Sequence, residues 1–190
     1  MKKPLCEMSL EELWQLFPIV LTPHDPRWAE QAAVEISRLE TLLSEYAPVI
    51  SHIGSTSIPD IHAKPIVDIL VEVSPAVSLD EMKETLTRAG YICMAMSADR
   101  LSLNKGYTPE GYADEVFHIH IHRPGDNAEI AFRDYLRAHP AAAREYEKLK
   151  LSLLPTFRNN RDAYTEAKSE FVRRIVSLAR RRPQGVEPAG

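Results

Sequence analysis

The sequence predicts an α+β fold, in which a mixed β-sheet has flanking helices and a helical C-terminal layer. Helical and strand patterns are interspersed up to about residue 122, and nearly all later periodicity is helical. The apolar run 66–73 is typical of a strand that is covered on both faces. The chain has 190 residues, of which 44% are hydrophobic, and this is enough for the core of one domain.

Capping residues and periodicity locate the individual elements. Ser9-Leu10-Glu11-Glu12 has the spacing of a capping box, and Asp25-Pro26 is typical of a helix start. Strict alternation over 116–122 predicts a strand, whereas two glycines and a proline in 105–114 predict a loop. The predicted helices are 9–16, 26–46, 79–89, 126–138, 140–154 and 162–181, and the predicted strands are 49–53, 66–73, 91–96, 101–104 and 116–122.

Composition narrows the class of protein. The formal net charge of −4 gives no global basic field, which argues against a nucleic-acid partner. No apolar run reaches the roughly 20 residues that span a membrane, and the two cysteines form no metal or redox motif. We therefore expect a cytoplasmic protein without a membrane partner. The expected organisation is an N-terminal extension with a short helix (1–18), one domain (19–182) and a disordered tail (183–190).

Residues 52–73, HIGSTSIPDIHAKPIVDILVEV, contain the first candidate site. Gly54-Ser55 follows a predicted strand, and such a turn can expose backbone N–H groups and a hydroxyl to an anion. Asp68 lies thirteen positions after Ser55, inside an apolar run. A buried carboxylate without a partner is costly. A phosphate-binding turn beside a strand-borne carboxylate therefore predicts a metal–nucleotide site.

A second candidate motif is Phe117-His118-Ile119-His120-Ile121-His122. The period of two places the three histidines on one face of a strand. Imidazole combined with carboxylate suits Zn²⁺, Mn²⁺ or Fe²⁺ better than Mg²⁺. The alternative interpretation is that these histidines form the polar, solvent-facing side of an edge strand.

The stretch 52–73 resembles the signature of the GrpB family, within the nucleotidyltransferase superfamily. Residues 131–140, AFRDYLRAHP, and 161–171, RDAYTEAKSEF, look like the two C-terminal signatures of that family. The resemblance spans about residues 20–178 and implies a nucleotidyltransferase-like mixed sheet. The same type of domain is fused to some bacterial dephospho-CoA kinases.

The resemblance also implies roles for individual residues. Asp68 and His120 are the expected catalytic residues, and with His118 they are the expected ligands of a divalent metal, Mg²⁺, Mn²⁺ or Zn²⁺. The expected ligand is a nucleotide or another phosphate-bearing small molecule. Its phosphates are expected to contact Gly54, Ser55, Thr56, Lys64, Arg133 and Lys168. The alternative roles are turn capping for Ser55, a solvated loop lysine for Lys64, and surface ion pairs for Arg133 and Lys168.

One departure from an active nucleotidyltransferase concerns the second metal carboxylate. Those enzymes hold metal with two carboxylates two residues apart on one strand, and this chain has Leu70 at the second position. Glu72 lies four residues beyond Asp68, roughly 13 Å away along a strand. Two functions therefore remain open, a nucleotidyl-transferring enzyme and a non-catalytic ligand-binding or chaperone-like module. In the transferase interpretation, the Leu70 side chain points into the pocket.

Overall fold

The structure is a computed structural model, and it describes residues 3–125 and 127–181. The predicted tail, 183–190, lies outside the described residues. The α+β prediction is confirmed by one mixed sheet with flanking helices. The α-helices in the described residues are α1 (Leu10–Leu16), α2 (Arg27–Leu42), α3 (Leu79–Arg88), α4 (Ala128–Ala138), α5 (Pro140–Phe157), α6 (Arg161–Glu166) and α7 (Ser169–Arg180). The strands are β1 (Val49–Ile53), β2 (Val67–Glu72), β3 (Ile92–Met96), β4 (Arg100–Thr108) and β5 (Gly111–His122).

The sheet has the strand order β1-β2-β5-β4-β3. The β2–β5 pair is parallel, and the other three pairs are antiparallel. In the parallel pair, Asp68 is in register with His118, and Leu70 is in register with His120. Strand β5 is therefore internal, and the interpretation of its histidines as the face of an edge strand is wrong. Strand β5 is hydrogen-bonded to β2 on one side and to β4 on the other, and this pairing fixes the position of its histidines.

The two faces of the sheet differ in chemistry because side chains alternate along each strand. One face carries Ile69, Ile119 and Leu103, and it packs against apolar side chains of α2 and α3, such as Leu39 and Met82. The opposite face carries Asp68 and the β5 histidines. Helices α4, α5 and α7 form a second apolar core beside it, which includes Phe132, Tyr146 and Ile175. The predicted helical C-terminal layer is thus present.

The segment predicted as a loop, 105–114, is instead the tip of the β4–β5 hairpin. Tyr107 pairs with Tyr112 and Thr108 pairs with Gly111, so only two residues connect the strands. Aromatic cross-strand pairs stabilise such ladders. Gly106, at φ +86°, lies at a register shift, and an added Cβ atom there would lie 3.0 Å from the Val116 Cα. Glycine therefore marks a bulge inside the strand and not its end.

The helix predicted over 162–181 is two helices in the structure, α6 and α7, separated at Ala167 and Lys168. The long helix predicted over 26–46 ends at Leu42 and is followed by a short 3₁₀ turn, Ser44–Tyr46. Helix α5 continues to Phe157 and includes Pro155. Among residues 3–125 and 127–181, no helix combines the length and apolar character that crossing a bilayer requires.

Candidate functional site

Gly54 directly follows β1 and gives the Asp68 carboxylate its position. Its backbone has φ +71° and ψ −173°, a conformation that is essentially restricted to glycine. A Cβ atom added to Gly54 would lie 2.8 Å from the Asp68 Cβ and 2.9 Å from its Cγ. Glycine is therefore required both by the backbone conformation and by the close approach of the carboxylate.

The Asp68 carboxylate meets two histidines from the neighbouring strand. Its Oδ1 atom lies 3.2 Å from His118 Nδ1 and 3.4 Å from His120 Nε2. One potential ligand atom from each residue lies within 4.8 Å of the others, so all three could contact one ion. The exposed fraction of the side chain is 27% for Asp68, 17% for His118 and 32% for His120. This metal cluster, Asp68–His118–His120, is therefore partly shielded from water but accessible.

Burial and mutual contact shift the pKa values of this cluster in different directions. Burial would raise the pKa of Asp68, but hydrogen bonds with His118 and His120 outweigh it and hold that pKa below the ordinary carboxyl range. Burial lowers the pKa of His118 despite the opposing effect of Asp68. For His120, Asp68 outweighs burial and raises the pKa. The result favours an ionised carboxylate beside a neutral His118, and these are the forms that bind metal.

Tyr107 provides a further contact to the metal cluster. Its hydroxyl lies 2.7 Å from His118 Nε2, on the opposite side of the ring from Asp68. Metal-binding histidines commonly use their second nitrogen for such a hydrogen bond, which fixes the ring orientation. Tyr107 thus holds His118 with Nδ1 directed at Asp68.

Four cationic side chains lie beside the metal cluster, in a group that we call the cation cluster: Lys64, Lys150, Lys168 and Arg161. Lys168 Nζ lies 4.5 Å from the centroid of the Tyr164 ring, and Lys64 Nζ lies 5.4 Å from the same centroid. Within the described residues, neither lysine forms an ion pair with a carboxylate. The buried Lys150 donates a hydrogen bond to the His62 carbonyl.

Burial is the main cause of the altered pKa values in the cation cluster. It lowers the pKa of Lys64 and of Lys150 to about 7 and that of Lys168 to about 8, and neighbouring cations contribute to the first two shifts. Asp68 opposes the shift at Lys64 and at Lys168. Grouping one buried and three partly buried cations without ion-paired carboxylates is unfavourable unless an anion joins them. The cluster is therefore suited to bind an anion with several charges.

Glu129 lies in the first turn of α4 and lines the same cavity. Its Oε1 atom lies 4.0 Å from His122 Nδ1, and its charge contributes to the raised pKa of His120. Its Oε2 atom is buried and has no hydrogen-bond partner among the described residues. Native structures rarely leave a buried polar atom without a partner. Glu129 thus contributes a buried carboxylate oxygen without a hydrogen-bond partner to the lining of the cavity, from a helix and not from β2.

The metal and cation clusters open into one cavity of about 890 Å³. This volume lies within the range of small-molecule sites, roughly 300–1,000 Å³. Its other lining residues are mostly apolar and come from the N-terminal segment, from β3 and from the C-terminal helices. The main apolar lining residues are Leu5, Leu10, Leu13, Trp14, Phe17, Leu21, Ile66, Ile92, Met94, Phe132 and Val172.

The structure brings most of the predicted site residues together. The residues that line this cavity include Gly54, Ser55, Lys64, Asp68, His118, His120 and Lys168. Thr56 and Arg133 do not line it. The buried Thr56 lies 3.0 Å from His52 Nε2 through its hydroxyl, and Arg133 donates to the His52 carbonyl at 2.8 Å and to Asp134 at 2.7 Å. These two residues contact His52 of β1 and lie outside the lining of the cavity.

Leu70 shares the sheet face of Asp68, as strand alternation predicts, but it does not line the cavity. It is 0% exposed and lies in register with His120 on β5 and with Ser51 on β1. The expectation that its side chain points into the pocket is therefore wrong. Its complete burial keeps it away from the cavity, although it lies on the face that carries Asp68.

Sequence reasoning missed Lys150, Arg161, Tyr107 and Glu129. Lys150 lies on the helix face that also carries Tyr146, so a lysine at an otherwise apolar position was an available signal. Glu129 occupies the first turn of a helix, where an acid is ordinary. Tyr107 lies in the segment that the sequence predicts as a loop. Packing of the C-terminal helices against the sheet brings Lys150, Arg161 and Glu129 to the cavity, and pairing of β4 with β5 brings Tyr107 there.

Comparison with known proteins identifies several relatives. The chain is 34% identical over 164 residues to glutamate-rich protein GrpB of Alkalihalophilus pseudofirmus, covering 84% of this chain and 94% of that protein. It is 31% identical over 181 residues to UPF0157 protein YqkA of Bacillus subtilis, covering 94% of this chain. It is also 30% identical over 181 residues to dephospho-CoA kinase of Mycolicibacterium paratuberculosis, covering 82% of this chain. The matches span only 52% of YqkA and 44% of the kinase.

Comparison with solved structures gives a strong match to conserved protein GrpB from Enterococcus faecalis. The two chains share 34% sequence identity with a TM-score of 0.72, and the match covers 84% of this chain and 96% of the other. A weaker likeness, at 12% identity and a TM-score of 0.47, is to the MgGTP-bound Cid1 poly(U) polymerase, covering 75% of this chain and 44% of the polymerase.

The family assignment rests on a match that covers most of the domain. The model of the GrpB protein family matches residues 18–178, which include every residue of the metal cluster and the cation cluster. The A. pseudofirmus and E. faecalis relatives agree with this match in sequence and in fold. The chain therefore belongs to the GrpB family.

Proposed function

We propose that this protein binds a phosphate-bearing small molecule, with a nucleotide as the first candidate, beside a divalent transition metal. The observation that carries the proposal is the position of the metal cluster and the cation cluster in one cavity. Carboxylate and imidazole ligands favour Zn²⁺ or Mn²⁺ over Mg²⁺. The cations match a polyphosphate chain, whose negative charges they would share.

The candidate activity is transfer of a nucleotidyl or phosphoryl group. In the nucleotidyl case, an acceptor oxygen attacks the α-phosphorus and pyrophosphate leaves. Asp68, His118 and His120 would hold a divalent ion, which would supply Lewis-acid polarisation of a phosphate oxygen. Lys64, Lys168 and Arg161 orient the phosphates and balance their charge. Glu129 lines the same cavity and is the candidate for the second carboxylate that β2 lacks.

A second candidate function is ligand binding without transfer. Leu70 favours it, because this residue occupies the second carboxylate position and is fully buried. In this case the protein retains the metal and phosphate contacts without the charge that a two-metal reaction requires. The two candidates share the same ligand and differ only in turnover.

Calorimetry tests binding, and pyrophosphate release tests turnover. Titration of the metal-free protein with Zn²⁺ and with Mn²⁺ should show one site. Asp68→Asn and His120→Ala should each weaken it by more than about a hundredfold, because removing a direct ligand costs more than removing an outer-shell partner, which costs about 10–100-fold. His139→Ala, a change of an exposed histidine that bonds to the Tyr135 carbonyl, is the matched control. Equal metal affinity in the native, Asp68→Asn and His120→Ala proteins would refute the metal site.

Pyrophosphate release from ATP, GTP, CTP and UTP is then measured with the metal that binds. Release that Asp68→Asn abolishes supports the transferase. ATP binding in calorimetry without release, with water or sugar hydroxyls as acceptors, supports the binding module. Failure of ATP and of inorganic tripolyphosphate to bind would contradict both candidates.

A further inference from the structure

The N-terminal segment contributes one apolar wall of the cavity although it precedes the GrpB match, which begins at residue 18. We call this surface the N-terminal wall: Leu5, Leu10, Leu13 and Trp14. A capping box fixes the start of α1, because the Ser9 side chain accepts from the Glu12 backbone N–H and Glu12 accepts from the Ser9 N–H. Three of the four wall residues lie on this helix.

Several contacts hold this segment against the domain. The Gln15 Oε1 atom accepts a hydrogen bond from Asn159 at 3.1 Å. Phe17 is 3% exposed, and its ring centroid lies 4.7 Å from that of Tyr107 and 5.0 Å from that of Tyr112. Tyr107 also contacts His118 of the metal cluster. The segment is thus connected to the β4–β5 hairpin and, through Tyr107, to the site itself.

Trp14 is an aromatic residue of the wall whose ring has no ring or hydrogen-bond partner among the described residues. Large aromatic side chains normally pack against other groups, and Trp14 is only partly buried. On the sheet side, Ile92 and Met94 of β3 line the same cavity and remain 41% and 58% exposed. The apolar part of the cavity therefore has room and unfilled contact surface.

The cavity thus joins two kinds of surface. One part has four cations and a metal cluster, and the other has leucines, an indole and the exposed side chains of β3. A purely inorganic anion would use only the first part. An indole stacks well on a planar ring, and such stacking tolerates different bases.

We infer that the N-terminal wall is the subsite for the nucleobase of a nucleotide whose phosphates lie at the cation cluster, with Trp14 as the stacking residue. This inference rests on the proposed function, because it requires a phosphate ligand in the cavity. It specifies that the ligand carries a nucleobase and that the N-terminal wall binds this base. The wall determines affinity for the base, and Lys64, Lys150, Lys168 and Arg161 determine affinity for the phosphates.

The test compares ATP with inorganic tripolyphosphate, which carries the phosphates without the base. Calorimetry on the full chain should show tighter binding of ATP. Trp14→Ala should weaken ATP binding about tenfold, the scale of one lost stacking contact, and should change tripolyphosphate binding less than about twofold. Trp14→Phe should retain ATP affinity to within about threefold, because it keeps an aromatic face. Lys168→Ala should weaken both ligands.

Two further measurements guard against a general loss of structure. Val20→Ala changes an exposed residue near the same segment that does not line the cavity, and it should leave both affinities unchanged. ATP, but not tripolyphosphate, should quench native tryptophan emission, and this quenching should be lost in Trp14→Phe.

Each other outcome has a definite meaning. Unchanged ATP affinity in Trp14→Ala, or equal losses for both ligands, overturns the base subsite and leaves the phosphate site intact. Tripolyphosphate binding that equals ATP binding in the native protein does the same. If the native protein binds neither ligand, the proposed function fails and this inference fails with it.

Discussion

Gly54 and Asp68 are in such close contact that no side chain fits between them. An added Cβ atom on Gly54 would lie 2.8 Å from the Asp68 Cβ, and the Gly54 backbone has φ +71°. The turn after β1 and the carboxylate of β2 therefore form one unit, which places Asp68 beside His118 and His120.

Gly54→Ala should reduce both stability and metal affinity. The backbone strain costs roughly 1–3 kcal/mol, and relief of the clash requires Asp68 to move away from its histidines. Chemical denaturation measures the first effect, and Zn²⁺ calorimetry measures the second. Gly125→Ala is the matched control, since it also has positive φ, at +92°, but an added Cβ there meets no atom within 4 Å. Native metal affinity in a folded Gly54→Ala protein would contradict the claim that this contact positions Asp68.

The lysine pKa values predict how ATP binding depends on pH. Burial lowers the pKa of Lys64 and of Lys150 to about 7 and that of Lys168 to about 8. The phosphate groups of ATP are fully charged above about pH 7, so changes above that pH report on the protein. Metal-free ATP affinity should fall between about pH 7.5 and 9.5 as the lysines lose their protons. Calorimetry in two buffers of different ionisation enthalpy should detect proton uptake on binding, and Lys168→Met should reduce it. Affinity that is constant across this range would refute the role of the lysines.

The same groups have the opposite effect on the stability of the ligand-free protein. Between about pH 7 and 10, an unfolded lysine retains a proton that the folded form of Lys64 or Lys150 has lost. The unfolded state then binds more protons, so the contribution of these groups to the free energy of unfolding rises with pH. Chemical denaturation of the native protein and of the Lys64→Met variant at pH 7 and 9 measures how the free energy of unfolding changes with pH. The free energy of unfolding should rise more between these pH values in the native protein than in the variant. Equal rises would contradict the lowered pKa of Lys64.

Glu129→Gln should weaken metal binding by about 10–100-fold, the usual range for a group that supports a direct ligand. The negative charge of Glu129 raises the pKa of His120 and adds to the field at the cluster. Glutamine keeps the shape and removes the charge. Glu170→Gln, a change of an exposed acid in α7, is the control. Metal affinity in Glu129→Gln equal to that of the control would exclude Glu129 as the second carboxylate of the site.

Leu70→Asp should destabilise the protein without creating a metal ligand. Leu70 is fully buried and does not line the cavity, so the new carboxylate would have neither water nor an ion. The expected cost is roughly 3–5 kcal/mol, the range for an uncompensated buried charge. Leu70→Met, which keeps the volume, should cost less than about 1.5 kcal/mol. Denaturation and Mg²⁺ calorimetry measure both effects. Strengthened Mg²⁺ binding in Leu70→Asp would show that position 70 does reach the cavity.

The sequence by itself determined the local features of this protein. Period-two alternation placed His118 and His120 on one face of β5, and the capping box at Ser9 and Glu12 set the start of α1. The sequence indicated both Gly54-Ser55 and Asp68 as site residues, because Gly54-Ser55 directly follows a predicted strand and Asp68 lies inside the next one. These features depend on residues that are close in the chain, whose spacing directly reflects the geometry of a helix or a strand.

Only the tertiary structure decided which residues share the cavity. The parallel register of β2 and β5 placed Asp68 opposite His118 and made β5 an internal strand. Packing of the C-terminal helices brought in Lys150 and Glu129, and the N-terminal segment added Trp14. The tertiary structure likewise buried Leu70 completely. Its position on β2 indicated only that its side chain lies on the same sheet face as Asp68. These outcomes depend on contacts between distant segments, and local periodicity carries no information about which segments meet.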